Sequence, residues 1–319
     1  MKKILDEVKN AQSIAISGHV RPDGDCVGSC LALYLYLKKT MPDAKVSVFL
    51  EKPRAIFECI SGVTDICNAE DNQETYDVFC ALDCNEDRLG NAAPIFGRAK
   101  KKINIDHHIS NRGCGDVNNI FPEASSTSEL IYELLDTAYL DTEIAKALYI
   151  GMIHDTGVFQ YSNTSKKTLM IAAELVDFGF DFSKLIDETF YEKSYVQNQI
   201  LGRALLESIL FQDGKCIVSM VDKKMMQFYG VESADLDGIV NQLRYTKGVE
   251  CAIFLYEAES QSYKVSMRSN GDIDVAVIAQ YFGGGGHVRA AGCTINGTVH
   301  DVINNLSAQI AKQIENGQE

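Results

Sequence analysis

Four short stretches of this chain put histidine and aspartate where an apolar run stops. They are Ser17-Gly18-His19-Val20-Arg21-Pro22-Asp23-Gly24-Asp25, Ala81-Leu82-Asp83-Cys84-Asn85, Ile103-Asn104-Ile105-Asp106-His107-His108 and Gly151-Met152-Ile153-His154-Asp155-Thr156-Gly157. Taken alone, the first equally reads as a helix-capping turn with Asp25 as N-cap, and an aspartate after a strand is usually a cap or turn residue. Together they supply six candidate ligands, His19, Asp23, Asp25, Asp83, His107 and Asp155, with Asp106 and His108 in reserve. One ion does not need so many. The four carboxylates among them can neutralise two divalent cations, and the mix of imidazole and carboxylate suits manganese or iron better than magnesium. Two cations ~3.5–4 Å apart are a common device for activating water against phosphorus. The chemistry implied is hydrolytic.

Such residues converge only if the elements before them align. Ser13–Ser17, Val46–Phe49, Asp77–Leu82 and Lys102–Ile105 read as β-branched strands separated by helical patterns, among them Cys26–Lys39, Ser128–Ala138 and Thr142–Ile153. Strand–helix alternation predicts a parallel sheet with covered faces, which binds ligands at the carboxyl ends of its strands. From Lys166 to Leu210 the pattern is helical almost throughout. Beyond it, strands at Cys216–Val221, Cys251–Glu257 and Tyr263–Met267 and helices at Val275–Tyr281 and Val299–Ile314 predict a second, smaller α/β domain.

Composition limits the alternatives. The chain has 319 residues, 30 Lys and Arg against 44 Asp and Glu, a net charge of −14 and 46% hydrophobic residues. That excludes a disordered chain, and no apolar run approaches the ~20 residues a membrane helix needs. The opening residues run directly into an amphipathic pattern rather than a signal peptide, so a cytoplasmic protein with reduced cysteines is expected. Cys26/Cys30 and Cys80/Cys84 lack the partners a zinc site would require. The acidic balance argues against long duplex nucleic acid and leaves small phosphorylated ligands open, particularly where bound cations invert the local charge.

A fifth stretch, Phe282-Gly283-Gly284-Gly285-Gly286-His287-Val288-Arg289-Ala290-Ala291-Gly292, lets backbone N–H groups approach an anion, and the segment after it reads as a helix start that would favour one. Arg268-Ser269-Asn270-Gly271 ends a strand with a second basic candidate, whereas a surface role for Arg289 is equally open. His154 reads as packing, His300 as surface, and Tyr34 and Tyr36 as core.

These motifs, in this order, resemble those of the DHH phosphoesterase superfamily, and the glycine-rich stretch is similar to that of its associated DHHA1 domain. Asn111, Ser126-Thr127-Ser128 and Phe159-x-Tyr161-Ser162-Asn163-Thr164 support the resemblance. It implies a parallel-sheet DHH domain over residues 1–185, a helical linker over 186–212 and a DHHA1 substrate domain over 213–319. Proteins of this size and pattern resemble the nanoRNase A type, bifunctional oligoribonucleases and pAp phosphatases, and the related pApA or cyclic-di-AMP phosphodiesterases. The resemblance implies that His19, Asp23 and Asp83 hold one metal, and Asp25, His107, Asp155 and the bridging Asp83 the other, both most simply manganese. His108 would then face the phosphate, oriented with help from Asp106. Asn111, Arg268, Ser269, Gly284, Gly285, Gly286, His287 and Arg289 would bind substrate, a short oligoribonucleotide, a dinucleotide or pAp, with no membrane partner and a homodimer as an open state. An inorganic pyrophosphatase would carry a Lys- and Arg-dense loop where Gly283–His287 stands, and a dead regulatory scaffold would lack a ligand that is present here.

Overall fold

A computed structural model of the chain describes residues 3–316. It contains two compact units that divide after Glu192. The first runs α1 (Ile4–Val8), β1 (Ser13–Ser17), α2 (Gly24–Thr40), β2 (Lys45–Phe49), β3 (Val78–Leu82), α3 (Ala93–Arg98), β4 (Lys101–Asp106), β5 (Val117–Ile120), α4 (Thr127–Leu134), α5 (Thr142–Asp155), α6 (Lys166–Val176) and α7 (Phe182–Ile186), the last widening into a π turn over Asp187–Tyr191. Its five strands are all parallel in the order β2-β1-β3-β4-β5.

Burial on both faces explains the strand sequences. Every residue of β3, Val-Phe-Cys-Ala-Leu, is buried. On one face Ile16, Cys80, Leu82 and Ile105 pack under α2, α4 and α5, and on the other Ala15, Phe79 and Ala81 pack with Ile95 and Phe96 of α3. The chain goes from β1 outward to β2, then returns to β3 on the other side of β1. The loops after β1 and β3 therefore part at a topological switch point, the usual ligand crevice of such sheets. β5, Val-Asn-Asn-Ile, was not expected: it is a short edge strand with two asparagines and shows no apolar alternation. The N-cap of α2 is Asp23, whose Oδ1 accepts from the Asp25 and Cys26 amides at 3.1 Å, and Asp25 lies within the first turn.

The second unit carries α8 (Tyr195–Leu206), β6 (Ile209–Phe211), β7 (Cys216–Val221), α9 (Lys223–Tyr229), α10 (Ile239–Arg244), β8 (Cys251–Glu259), β9 (Ser262–Ser269), α11 (Val275–Tyr281), β10 (Gly285–His287), β11 (Ala290–Asn296) and α12 (Val299–Asn316). Its mixed sheet has the order β10-β11-β9-β8-β7-β6, with β7 and β8 parallel and the other pairs antiparallel. Two expectations are corrected here. The helical pattern stops at Leu206, and Ile209–Phe211 pairs with β7 instead of continuing the helix; α8 packs into this unit through Ile200 and Ala204. The segment after the glycine run starts no helix. It is a hairpin, with Gly286 opposite Ala291 and His287 opposite Ala290.

All ten cysteines are free, and among the described residues no helix is long and apolar enough to cross a membrane.

One buried amide ties the sheet edge together. Asn104 on β4 is fully buried; its Nδ2 donates to the Ala81 and Cys84 carbonyls at 3.1 and 2.9 Å, and its Oδ1 accepts from Asn111 Nδ2 at 3.1 Å. Asn104→Ala strands these groups and should lower stability by about 1–3 kcal/mol in urea unfolding. A change under ~0.5 kcal/mol would mean that the loops after β3 and β4 hold themselves.

Candidate metal centre

The site is built outward from Asp83. It follows β3 directly and sits in the left-handed region at φ 59°, a conformation a non-glycine residue keeps only when its surroundings impose it. Two groups do so. Its amide donates to the Ile105 carbonyl at 2.9 Å, and Thr127 Oγ1 donates to its Oδ1 at 3.0 Å. The carboxylate, nearly sealed from solvent, then meets three imidazoles: His19 Nε2 at 3.4 Å, His107 Nε2 at 3.6 Å and His108 Nδ1 at 3.6 Å.

Asp25 is fully buried, and both its oxygens are taken by the first turn of α4, Thr127 N at 2.6 Å and Ser128 N at 2.9 Å. Unpaired amides at a helix start are the natural seat for an anion. Gly151 makes the approach possible: a Cβ there would lie 2.8 Å from Asp25 Oδ1 and closer still to Ser128 Oγ. Asp155 ends α5, where the helix dipole opposes a carboxylate, so its charge needs an outside partner. His107 Nε2 is that neighbour, at 2.9 Å.

Burial and the charges of Asp83 and Asp155 push the Asp25 carboxyl well up, and burial does the same for Asp155, with Asp83 adding to it. The imidazoles move the other way. Burial opposes charge on His19, but hydrogen bonds with Asp23 and Asp83 outweigh it and raise the ring to about 11; for His107 burial is likewise overcome by Asp155, Asp25 and Asp83, to about 10. Both rings are therefore disposed to carry a proton where carboxylates crowd them.

The donor set fits divalent metal. His19 Nδ1 lies 2.9 Å from the Val20 carbonyl oxygen and His107 Nδ1 3.4 Å from that of Ala124, so in each neutral ring Nδ1 carries the proton and the Nε2 lone pair faces the carboxylates. His107 Nε2 is buried and has no well-aligned hydrogen bond despite its short distance to Asp155. Three overlapping sets bring donor atoms within 4.8 Å of one another: Asp83 with Asp106, His107 and His108; Asp25 with His107 and Asp155; and His19 with Cys26 and Asp83. Asp23 stands at the rim, half exposed, with Oδ2 at 3.5 Å from His19 Nε2 and Oδ1 committed to the α2 cap.

His108 belongs to a separate device. Its Nδ1 lies 2.7 Å from Asp106 Oδ1, and Asp106, fully buried, also accepts from Asn111 Nδ2 at 2.6 Å. The hydrogen bond to Asp106 raises the His108 pKa against burial, so the ring is disposed to carry a proton, with Nε2 left to face outward. Asn111, expected among the substrate-binding residues, is buried. Its amide is spent on Asp106, Asn104 and Cys84, and its Oδ1 accepts from Gly113 N. It positions Asp106. His154 packs between the rings of Phe57 and Phe190, and burial drops its pKa to about 4, so it is neutral.

In the second unit, His287, Ala290 and Arg268 are register partners across β10, β11 and β9 and share one face, so the small Ala290 separates the two basic side chains. Arg268 Nε donates to Asn241 Oδ1 at 3.1 Å, Arg289 Nη1 to the Gly271 carbonyl, and Ser269 N to the Arg289 carbonyl at 3.0 Å. Gly286, at φ 145°, is needed for the hairpin itself, since a Cβ would lie 2.5 Å from the Ala290 carbonyl oxygen; Gly285 faces open space and Gly284 lies against Gly292.

Residues 13–152 match the DHH family, N-terminal domain, and residues 213–316 the DHHA1 domain. The chain is 31% identical over 301 residues to the bifunctional oligoribonuclease and PAP phosphatase NrnA of Thermus thermophilus, covering 93% of this chain and 89% of that one. The chain belongs to the DHH family. Its Bacillus subtilis relative of the same name is 28% identical, with 92% of each chain covered. The crystal structure of an exopolyphosphatase-related protein from Bacteroides fragilis superposes with a TM-score of 0.89 at 26% identity, covering 99% of this chain and 96% of that one. As a DHH-family member this protein is a phosphoesterase, a metal-dependent hydrolase.

Sequence reasoning noted Ser126-Thr127-Ser128 only in support of the family resemblance, yet Thr127 holds both Asp25 and Asp83. Thr127→Val keeps the branch and removes the hydroxyl; divalent metal binding, read by equilibrium dialysis, should weaken ~10–100-fold, with Thr127→Ser restoring it. Unchanged binding by the valine variant would show that Asp83 does not depend on that hydroxyl.

Because a ring must be neutral to ligate, affinity should rise with pH, and loading near neutrality should release at least two protons, with His19 and His107 each contributing one. Titration calorimetry in buffers of different ionisation enthalpy counts them. A heat independent of buffer would rule out protonated imidazoles in the metal-free site.

Proposed function

We propose that this protein is a manganese-dependent phosphoesterase that degrades very short oligoribonucleotides, pApA included, to 5′-mononucleotides and also removes a phosphate from pAp. The observation that supports this reading is the pairing of an Asp83-centred carboxylate–imidazole cluster with a separate Asp106–His108 dyad at the same sheet edge. In this reading His19, Asp23 and Asp83 hold one ion, and Asp25, His107, Asp155 and Asp83 hold a second. Bound there, two divalent cations would lower the pKa of water and offset charge on a phosphoryl oxygen.

The chain's own residues do the rest. The Thr127 and Ser128 amides hold Asp25 in place and favour its charged form against the cost of burial, and Thr127 Oγ1 with the Ile105 carbonyl fixes the aim of Asp83. His108, protonated against Asp106, donates from Nε2 to the phosphate or to the departing oxygen, and Asn111 stops Asp106 from rotating away. In the second unit His287, Arg268 and Arg289 offer donors to substrate phosphate or ribose, with Ser269 and the glycine run beside them. The relatives named for oligoribonuclease and PAP phosphatase activity, similar over nine-tenths of this chain, support short RNA and pAp as the substrate class.

The test is hydrolysis, with Mn2+ and with EDTA, of pApA, RNAs of two to five and of twenty nucleotides, pAp, cyclic-di-AMP and pyrophosphate. Mn2+-dependent release of mononucleotides from the short RNAs is expected, and His108→Ala should lower kcat ~10²–10⁴-fold while metal content stays at the wild-type level. Activity confined to cyclic-di-AMP and pApA would replace this reading with a dedicated dinucleotide phosphodiesterase. Inactivity on all of them despite bound metal would make it a nucleotide-binding module.

A further inference from the structure

This chain has nine arginines, and six are engaged: Arg54 lies over the Phe57 ring and Arg244 over Tyr245, Arg203 pairs with Glu207, and Arg98, Arg268 and Arg289 donate to Asn72, Asn241 and Gly271. The side chains of the other three, Arg21, Arg88 and Arg112, make no hydrogen bond, ion pair or ring contact with the described residues, and all three are exposed.

Their placement is not scattered. Arg21 follows β1 in the loop bearing His19 and Asp23, just before Asp25 in α2; Arg88 follows β3 and Asp83; Arg112 follows β4, His107 and His108. These are three adjacent parallel strands, so the three loops share one edge. Hydrogen bonds tie the loops in series. Val20 N donates to the Arg88 carbonyl at 2.8 Å, and Asn111 Nδ2 donates to the Cys84 carbonyl at 3.1 Å. Arg21 itself is held at φ 53°, strained for a non-glycine residue, with its amide donating to Glu51 Oε2 at 2.6 Å. Strain kept in place at the mouth of a site points to a use for it.

From this arrangement we propose that Arg21, Arg88 and Arg112 form an anion-binding rim on the first unit that takes the phosphates flanking the one being hydrolysed. The ligand class is a single-stranded nucleotide chain of two or more phosphates, so the proposal rests on the phosphoesterase reading and extends it to a subsite outside the metal cluster and outside the DHHA1 unit. The electrostatics are consistent. The carboxylates of the cluster attract cations, and once two divalent ions are bound a rim of three guanidiniums lies beside a neutralised centre, where it draws polyanion rather than competing for metal. Exposed lysines of the same charge would attract as well, but a planar guanidinium also grips a phosphate through two parallel bonds.

The experiment is fluorescence anisotropy of a labelled, 5′-phosphorylated RNA pentamer with phosphorothioate linkages, titrated with metal-loaded full-length protein over a range of salt. The triple variant Arg21→Gln/Arg88→Gln/Arg112→Gln should bind at least ~10-fold more weakly, with a log–log salt slope shallower by roughly two. Each single variant should lose part of this, the triple Arg→Lys variant should recover most of it, and Arg98→Gln should bind as wild type does. Wild-type affinity in the triple glutamine variant, or a wild-type protein that does not bind the pentamer, overturns the rim. If the rim variants lose binding but wild-type protein hydrolyses none of the substrate panel, the rim stands and the phosphoesterase specificity proposed above falls. If hydrolysis is present and the rim variants bind normally, the reverse holds.

Discussion

Everything at this site depends on holding several carboxylates close together out of water. Asp25 and Asp83 are buried and Asp155 largely so, and burial and mutual repulsion raise the pKa values of Asp25 and Asp155. Such a cluster survives folding only if fixed donors and compensating positive charge are supplied from elsewhere. The fold provides the donors through one short element, the start of α4. Its Thr127 and Ser128 amides satisfy Asp25 and the Thr127 hydroxyl satisfies Asp83, so residues 102 and 44 positions apart in sequence are gripped by one helical turn. That turn is in turn anchored by Glu129, fully buried, which accepts from Ser125 Oγ at 2.6 Å and Thr168 Oγ1 at 2.7 Å and pairs with Lys167.

The positive charge divides into two kinds. One is the raised proton affinity of His19 and His107, whose rings both have their Nδ1 directed at backbone carbonyls, so losing an Nε2 proton presents a lone pair without any rotation. A site organised this way exchanges protons for cations at nearly constant geometry, which keeps the reorganisation cost of loading small. His108 is exempt from the exchange because its acidic partner is Asp106, itself stabilised as an anion by His108 and Asn111 against the cost of burial. The adjacent histidines therefore divide the work, one facing the carboxylates of Asp83 and Asp155, the other tied to a carboxylate that Asn111 holds in place.

Much of this was legible in the sequence because parallel α/β sheets write their sites at strand ends. An apolar run interrupted by Asp83, or by Asp106-His107-His108, cannot place those groups anywhere except the carboxyl edge. The order of strands and the resemblance of the motifs then bring them to one crevice. What stayed hidden has a common cause: each of those features is set by what the residue or strand pairs with in the fold, not by its own residue type. Asn111 looked like a substrate ligand because it follows the histidines, but its amide is consumed by a network that includes Asn104. Val117–Ile120 is a strand only because β4 offers a free edge, and Ile209–Phe211 only because β7 does. The run Gly283–Gly286 invites a phosphate-loop reading, whereas Gly286 answers first to the close approach of β11.

The contrast between Asp83 and Asp155 shows why a local rule broken without local compensation marks function. Asp83 keeps a left-handed backbone, and Asp155 puts a negative charge at the wrong end of a helix; each costs on the order of 1 kcal/mol that nothing in its own element returns. A core selected only for stability would place glycine or asparagine at the first and a cation at the second. Both departures converge on His107, which lies within 3.6 Å of one carboxylate and 2.9 Å of the other while its Nε2 lacks a well-aligned hydrogen bond. A divalent cation that reached all three groups would supply the compensation that two carboxylates and one unsatisfied imidazole lack. In that case the strain would be part of the binding specificity, relieved by an ion that reaches all three groups and not by one that reaches a single carboxylate.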